Sequence, residues 1–487
     1  MRNRSPSVRF NMVMNAILTM SSFIFPLITF PYVSRILLPL GTGKVNFVTS
    51  TVAYFAMFSQ LGIPTYGVRA CARVRDDRQA LSRTVQELLI INLFTCLLTY
   101  LVFAGAILCV PRFRAEYKLF IIIGLSIGLN ALGVEWLYRA LEQYRYITVR
   151  SMIFKAVAVG ATFLLIHNPS DYVIYGAISI FAASASNVLN FWNLRKHITL
   201  KPLGQYHFKK HLSMILIFFS MSVASTVYTN LDNVMLGMMR GDIDVGYYSA
   251  AVKIKNILIS LVTSVSAVLL PRASYYVDQH RMDEFYQIIR RTMHFVLLLA
   301  LPMTVYFMLF AQEGILLLSG SAYLDAVRPM QIIMPTLLLV GMTNVIGIQM
   351  MVPLGQEKHV LFSEIAGAVT DLVLNWILIP RLASVGAAIG TLAAETVVLV
   401  WQSAVLSRGK AHLYRDVSWW RLLTATALGT AACLWVKCLS LGSFWMLVIS
   451  AILFFGVYAG IQLATKEPLV CELFHQIVVS RLKRHKS

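Results

Sequence analysis

Apolar residues run through this chain in long blocks, and the polar residues between them fall in short, mostly basic clusters. A helix needs about 20 mostly apolar residues to cross a hydrocarbon core. Fourteen windows of that kind follow one another, at about 11–38, 45–67, 85–110, 119–138, 148–168, 171–192, 211–238, 245–271, 292–311, 329–352, 360–380, 384–406, 419–437 and 443–463. The blocks are much longer than the roughly 10 residues of a barrel strand and do not alternate in polarity, so they predict helices. Lys155 interrupts the fifth window, and Glu364 and Asp371 fall in the eleventh. The pattern predicts an all-α polytopic membrane protein of about fourteen transmembrane helices.

Composition removes the alternatives. Of the 487 residues, 58% are hydrophobic and only 13% charged, whereas a soluble chain is about a quarter charged. Disorder is excluded by the apolar content, and six scattered cysteines make no secreted disulfide framework. With the N-terminus placed inside, 30 of the 42 Lys and Arg lie in cytoplasmic segments, 8 in outer loops and four in windows. That excess sets the orientation and places both termini in the cytoplasm. It also accounts for the +20 net charge: the charges contact lipid headgroups and form no compact patch for nucleic acid. Arg2, Arg4 and Arg9 precede an apolar stretch too long for a signal peptide, which predicts an uncleaved first helix.

The loops are too short for a soluble domain. The chain contains no GxxxxGK[ST] or HExxH sequence, so neither an ATPase nor a zinc protease is signalled, and no cofactor or metal is expected. Asp242 and Asp244 have a D-x-D spacing that could hold a divalent cation, but the spacing is common and reads as a solvated turn. His207 and His211 are four apart at a basic loop edge, where interface residues are expected. Glu87, Glu135 and Arg139 lie near helix ends, as caps or interface residues.

Charges inside the windows are the costly residues, at roughly 2.5–3.5 kcal/mol each near the bilayer centre, and by default they face a cavity or a partner. Lys253 and Lys255 fall near the midplane of the eighth window. At two residues apart they point about 200° from each other. Lys155 lies shallower and Arg35 at an outer end. Asp371 and Glu395 are near the midplane. Glu364 lies seven residues before Asp371 and is expected on the same face, which Asn375 extends. Asp232 sits between Asn230 and Asn233. Two readings of the carboxylates stay open: internal partners of the lysines, or carriers of a coupling proton or cation. Pro26, Pro31, Pro64, Pro302 and Pro335 are expected to bend or break helices, as in transporters whose bundles rock.

A weak internal echo divides the chain into residues 1–200, 201–410 and 411–487: two six-helix lobes around a central cavity, then two further helices and a basic tail. Gly43-Lys44-Val45-Asn46-Phe47 opens the second window, and Val245-Gly246-Tyr247-Tyr248-Ser249 opens the eighth. With Phe30-Pro31-Tyr32-Val33-Ser34-Arg35, Leu61-Gly62-Ile63-Pro64-Thr65-Tyr66-Gly67, Tyr228-Thr229-Asn230-Leu231-Asp232, Leu269-Leu270-Pro271-Arg272 and Val385-Gly386-Ala387-Ala388, the chain strongly resembles the Wzx-type oligosaccharide flippases. These belong to the multidrug/oligosaccharidyl-lipid/polysaccharide exporter superfamily.

The resemblance implies flipping of an undecaprenyl-pyrophosphate-linked oligosaccharide, such as an O-antigen repeat unit, to the outer leaflet of a bacterial inner membrane by alternating access. It implies a cationic cavity, to which Lys253 and Arg35 match in motif and Lys155 and Lys255 in chemistry. A polysaccharide polymerase and a chain-length regulator are the implied partners. The competing readings are a multidrug or cation antiporter of the same superfamily, a lipid II flippase, and a membrane enzyme acting on lipid-linked sugars. The longest outer loop, about residues 312–328, is short for such an enzyme.

Overall fold

The computed structural model describes residues 8–407, 413–439 and 441–472. The chain is a multi-pass membrane protein, 87% helical, with no strand among the described residues. Among the described residues, ten helices are long and apolar enough to cross a membrane, or eleven if Ser321–Ile333 and Thr336–Met351, bent by 43°, form one span. The expected windows 11–38 and 45–67 both lie in one run, Val13–Ala72. Window 245–271 lies in Asp242–Asp278, and window 419–437 in the 16-residue helix Trp419–Leu434 and the 3-10 turn Trp435–Cys438.

The helix breaks have local causes. Leu38 leaves helical geometry at φ 60°, ψ 175°. It precedes Pro39, whose ring disfavours a helical predecessor. Gly62, at φ 71°, starts the next helix, Ile63–Ala72. Pro64 sits in the first turn of that helix, where its missing N–H is harmless. Pro335 separates Val327–Ile333 from Thr336–Thr343. Pro26, Pro31 and Pro302 stay inside continuous helix. A wide π-helical turn occurs at Phe181–Ala185 and another at Asn344–Met351.

The helix Arg78–Cys109 shows a bilayer-facing stripe. On it, Phe94, Leu97, Leu101 and Leu108 are all more than 60% exposed, while Leu81, Val85, Leu88, Asn92, Cys96, Thr99 and Phe103 are buried. Both faces recur at helical spacing, as expected where hydrocarbon is the solvent on one side.

The chain divides into two compact units, 1–249 and 250–487. In the first, one core gathers Ile63, Tyr66, Leu88, Trp136, Tyr138 and Ile215, and another Val33, Leu37, Ala158, Ile166 and Ile178. In the second, Tyr306 and Phe310 pack with Cys433 and Phe454, which fixes the two C-terminal helices to Met282–Leu309. The Tyr306 hydroxyl donates to the Leu447 carbonyl at 2.8 Å.

Candidate functional site

In the first unit the sequence motifs converge on one junction. A Cβ on Gly43 would lie 1.7 Å from the Asp242 carbonyl oxygen, and one on Gly246 would lie 2.2 Å from that of Pro39. Only glycine admits backbones this close. Here Lys209–Met239 meets the start of Asp242–Asp278. The Tyr248 hydroxyl donates to the Asp232 carboxylate, Ser249 donates to Asn233 Oδ1 at 3.2 Å, and Asn233 Nδ2 donates to Ser50 at 3.1 Å. Asp232 is buried. These two candidates therefore hold helices together.

Asn230, from the same motif, faces elsewhere. It borders a cavity of about 410 Å³ lined by Gln60, Ser126, Asn130, Ser184 and Thr226, together with small apolar side chains. Its Nδ2 donates back to the Thr226 carbonyl at 3.1 Å. Half-buried Lys155 donates to the Ser21 and Ser22 hydroxyls, each at 2.9 Å, and so links Tyr144–Leu165 to the first helix. Arg35 is exposed and donates to the Pro31 carbonyl at 2.6 Å.

The second unit carries Lys253, Lys255, Glu364, Asp371, Asn375 and Glu395. Lys255 is buried and Lys253 half-buried, in keeping with their opposed directions on one helix. Asp371 and Asn375 are buried against Ser384–Ser407: a Cβ on Gly390 would lie 2.4 Å from Asn375 Oδ1 and 2.8 Å from Asp371 Oδ1. Glu395 is buried on the same helix as Gly390. Further along the seam, Gln402 Nε2 donates to Ser363 at 3.1 Å. Glu364 departs from expectation, being exposed. The buried stripe of Glu357–Leu382 runs Ser363, Gly367, Asp371, Asn375, Ile379 in steps of four. Such a ridge winds around the helix, so the neighbour that covers Asp371 passes Glu364 by.

Three arrangements were not foreseen. Glu87 and His211, expected at helix ends and interfaces, are buried. His211 Nε2 lies 2.7 Å from Glu87 Oε2, and its Nδ1 lies 2.7 Å from the Tyr66 hydroxyl. Asp242, expected in a solvated turn, is buried and ion-paired with Arg112. Burial raises its carboxyl above the usual carboxylate range, against the pull of Arg112. Beside it Lys44 pairs with Glu116, which also accepts from the Tyr172 hydroxyl at 2.9 Å. Tyr66 and Lys44 stand in the motifs, but their partners lie far off in sequence.

Comparison with known proteins shows the family and the fold. A family model described as "Polysaccharide biosynthesis protein" matches residues 8–277, and the MatE model matches residues 217–377. The chain is 24% identical over 400 residues to the "Putative O-antigen transporter" of Escherichia coli (strain K12), covering 82% of this chain and 96% of that protein. Among solved structures it aligns with "Lipid II flippase MurJ, inward closed conformation" at a TM-score of 0.64 and 16% identity, over 96% of this chain and 100% of that one. It also aligns with an inward-facing multidrug resistance MATE family transporter of the MOP superfamily at 0.59 and 16%, over 82% of this chain and 99% of that one. At these identities the two structures share its fold.

Proposed function

The chain belongs to the polysaccharide biosynthesis protein family, and on that premise we propose that it is a flippase for a lipid-linked oligosaccharide. The cargo is an undecaprenyl-pyrophosphate-linked repeat unit of a surface polysaccharide, moved from the cytoplasmic to the outer leaflet of the inner membrane by alternating access. The observation that carries this reading is correspondence over nearly the whole length of the protein named "Putative O-antigen transporter". Both termini lie in the cytoplasm, and polymerase and chain-length regulator act downstream. The protein transports and does not catalyse.

Pyrophosphate cannot enter hydrocarbon uncompensated. Lys253, with Lys255, Lys155 and Arg35, supplies cations that offset its desolvation through charge-assisted hydrogen bonds. The lipid tail stays in the bilayer while the sugar passes through polar surroundings. A potential negative inside favours outward movement of an anion by about 2.3 kcal/mol per charge per 100 mV. Asp371 and Glu395 are the candidates for carrying a coupling ion.

The test is transbilayer movement of labelled undecaprenyl-pyrophosphate oligosaccharide in proteoliposomes, with Lys253→Ala beside the parent. Movement in the parent and a drop of about tenfold or more in the variant, both folded, support the reading and its anion site. Equal rates remove Lys253 as the anchor. No movement in the parent, under any imposed gradient, refutes the flippase. One observation favours a second reading, a cation antiporter: the buried Asp371 and Glu395, of which Asp371 lies within the MatE match. Uptake of tetraphenylphosphonium driven by a pH gradient would establish it.

A further inference from the structure

The cavity of the first unit has no charged side chain in its wall. An anionic cargo needs a cation and an organic cation needs a carboxylate. Neither is present. An apolar ligand would leave the wall's polar groups unpaired, at a cost for each.

Those groups are held ready for hydrogen bonding. Asn130 Oδ1 accepts from Ser184 Oγ and Asn187 Nδ2, each at 3.0 Å. This fixes the amide plane and presents Nδ2, which has no hydrogen-bond acceptor among the described residues. The Gln60 amide, the Ser126 hydroxyl and the Thr226 hydroxyl likewise make no side-chain hydrogen bond among the described residues, and all three line the cavity. Ser184 stands in the π-helical turn Phe181–Ala185, a widened backbone frequent at functional sites. Ala53, Ala56 and Ala183 supply small apolar patches between the polar groups. Oriented neutral donors and acceptors alternating with apolar patches match the hydroxyls and C–H faces of a sugar ring. At about 410 Å³, the space is at the small end of the roughly 300–1,000 Å³ of ligand sites.

We propose that this cavity is a subsite for the neutral sugar portion of the cargo, a mono- or disaccharide-sized group bound by Gln60, Asn130, Thr226 and Asn230. The proposal rests on the flippase reading and adds to it the place where the sugar is sensed. It assigns sugar preference to the first unit.

The probe is the oligosaccharide released by mild acid from the repeat-unit glycolipid of cells that express the chain. Its binding to the full chain in nanodiscs is measured by titration calorimetry. The variants are Gln60→Ala, which removes an amide; Thr226→Val, which swaps a hydroxyl for a methyl of equal size; and Ala183→Phe, which fills the space. Melting and monodispersity serve as folding controls. The parent is expected to bind, and each folded variant to weaken binding by about tenfold or more, through the loss of a hydrogen bond in Gln60→Ala and Thr226→Val and through steric exclusion in Ala183→Phe. Unchanged binding in the folded variants overturns the proposal. So does a parent that flips the intact glycolipid yet binds no free oligosaccharide. A parent that binds the oligosaccharide but moves no glycolipid refutes the flippase reading and leaves the sugar site standing.

Discussion

Replacing Glu87 tests whether the first unit depends on a buried charge. Its carboxylate is fully buried and accepts from the His207 backbone N–H at 2.7 Å, His211 Nε2 at 2.7 Å and Lys210 Nζ at 2.9 Å. With Nε2 donating to the carboxylate, neutral His211 offers Nδ1 to the Tyr66 hydroxyl. The chain Tyr66–His211–Glu87 then joins Ile63–Ala72, Arg78–Cys109 and Lys209–Met239. A hydrogen bond to a charged group contributes about 1.5–3 kcal/mol. His211 is buried and the His207 bond is part-buried, while the Lys210 side chain is 47% exposed and contributes under about 1 kcal/mol. Glu87→Ala strips the partner from a buried set and should cost about 3–5 kcal/mol. Glu87→Gln keeps an acceptor for His207 and a donor toward His211, so it should cost about 1–2 kcal/mol. Lys210→Ala should cost less than about 1 kcal/mol. The assay compares melting midpoints of the three purified variants in one detergent at one scan rate, the operational measure for a protein that unfolds irreversibly. The reasoning is refuted if Lys210→Ala melts as low as Glu87→Ala, or if Glu87→Ala matches the parent.

Gly43→Ala and Gly246→Ala should each lower the yield of monodisperse protein, since the new methyl meets backbone at 1.7 and 2.2 Å and overpacking costs about 1–3 kcal/mol. Gly105→Ala, with nothing within 4 Å, should melt at or above the parent, because alanine gains up to about 1 kcal/mol in helix propensity. A double-mutant cycle of Arg112→Ala and Asp242→Asn, read by melting, should show coupling of about 0.5–3 kcal/mol; independent effects would remove the pair as a clamp. Lys155→Met should cut flipping in proteoliposomes by about tenfold while Lys155→Arg retains it, if the amine serves as an anion site; equal loss would mark its bonds to Ser21 and Ser22 as structural. Tyr306→Phe should lower stability by about 1 kcal/mol, seen as an earlier melt, because the Leu447 carbonyl and the Ser450 hydroxyl each lose one hydrogen bond and keep the one between them.

The helices were legible because their signal is local: a long apolar block has one stable form in lipid. The break at Leu38 was legible for the same reason, a proline and two glycines within six residues. Long-range pairing was not. Tyr66 and His211 are separated by 145 positions, and Arg112 and Asp242 by 130. No periodicity links such residues, so Asp242 read as a turn and Glu87 as a cap. Angular arithmetic also failed at Glu364. Positions seven apart do share a direction on a helix, but burial depends on where the neighbouring helix crosses, and Ser384–Ser407 covers the stretch around Asp371.

The charges of the first unit explain why a neutral cavity can exist there. Lys44 is matched by Glu116, Arg112 by Asp242, Arg139 by Glu135, and Lys210 by Glu87. Each pair contains its field locally, because opposite charges within about 4 Å cancel for any group farther off. The amides and hydroxyls of the cavity wall are therefore not drawn toward a nearby ion, and they keep their hydrogen-bonding capacity for a ligand. A polyhydroxylated cargo suits that condition, because its recognition is a sum of modest, directional hydrogen bonds.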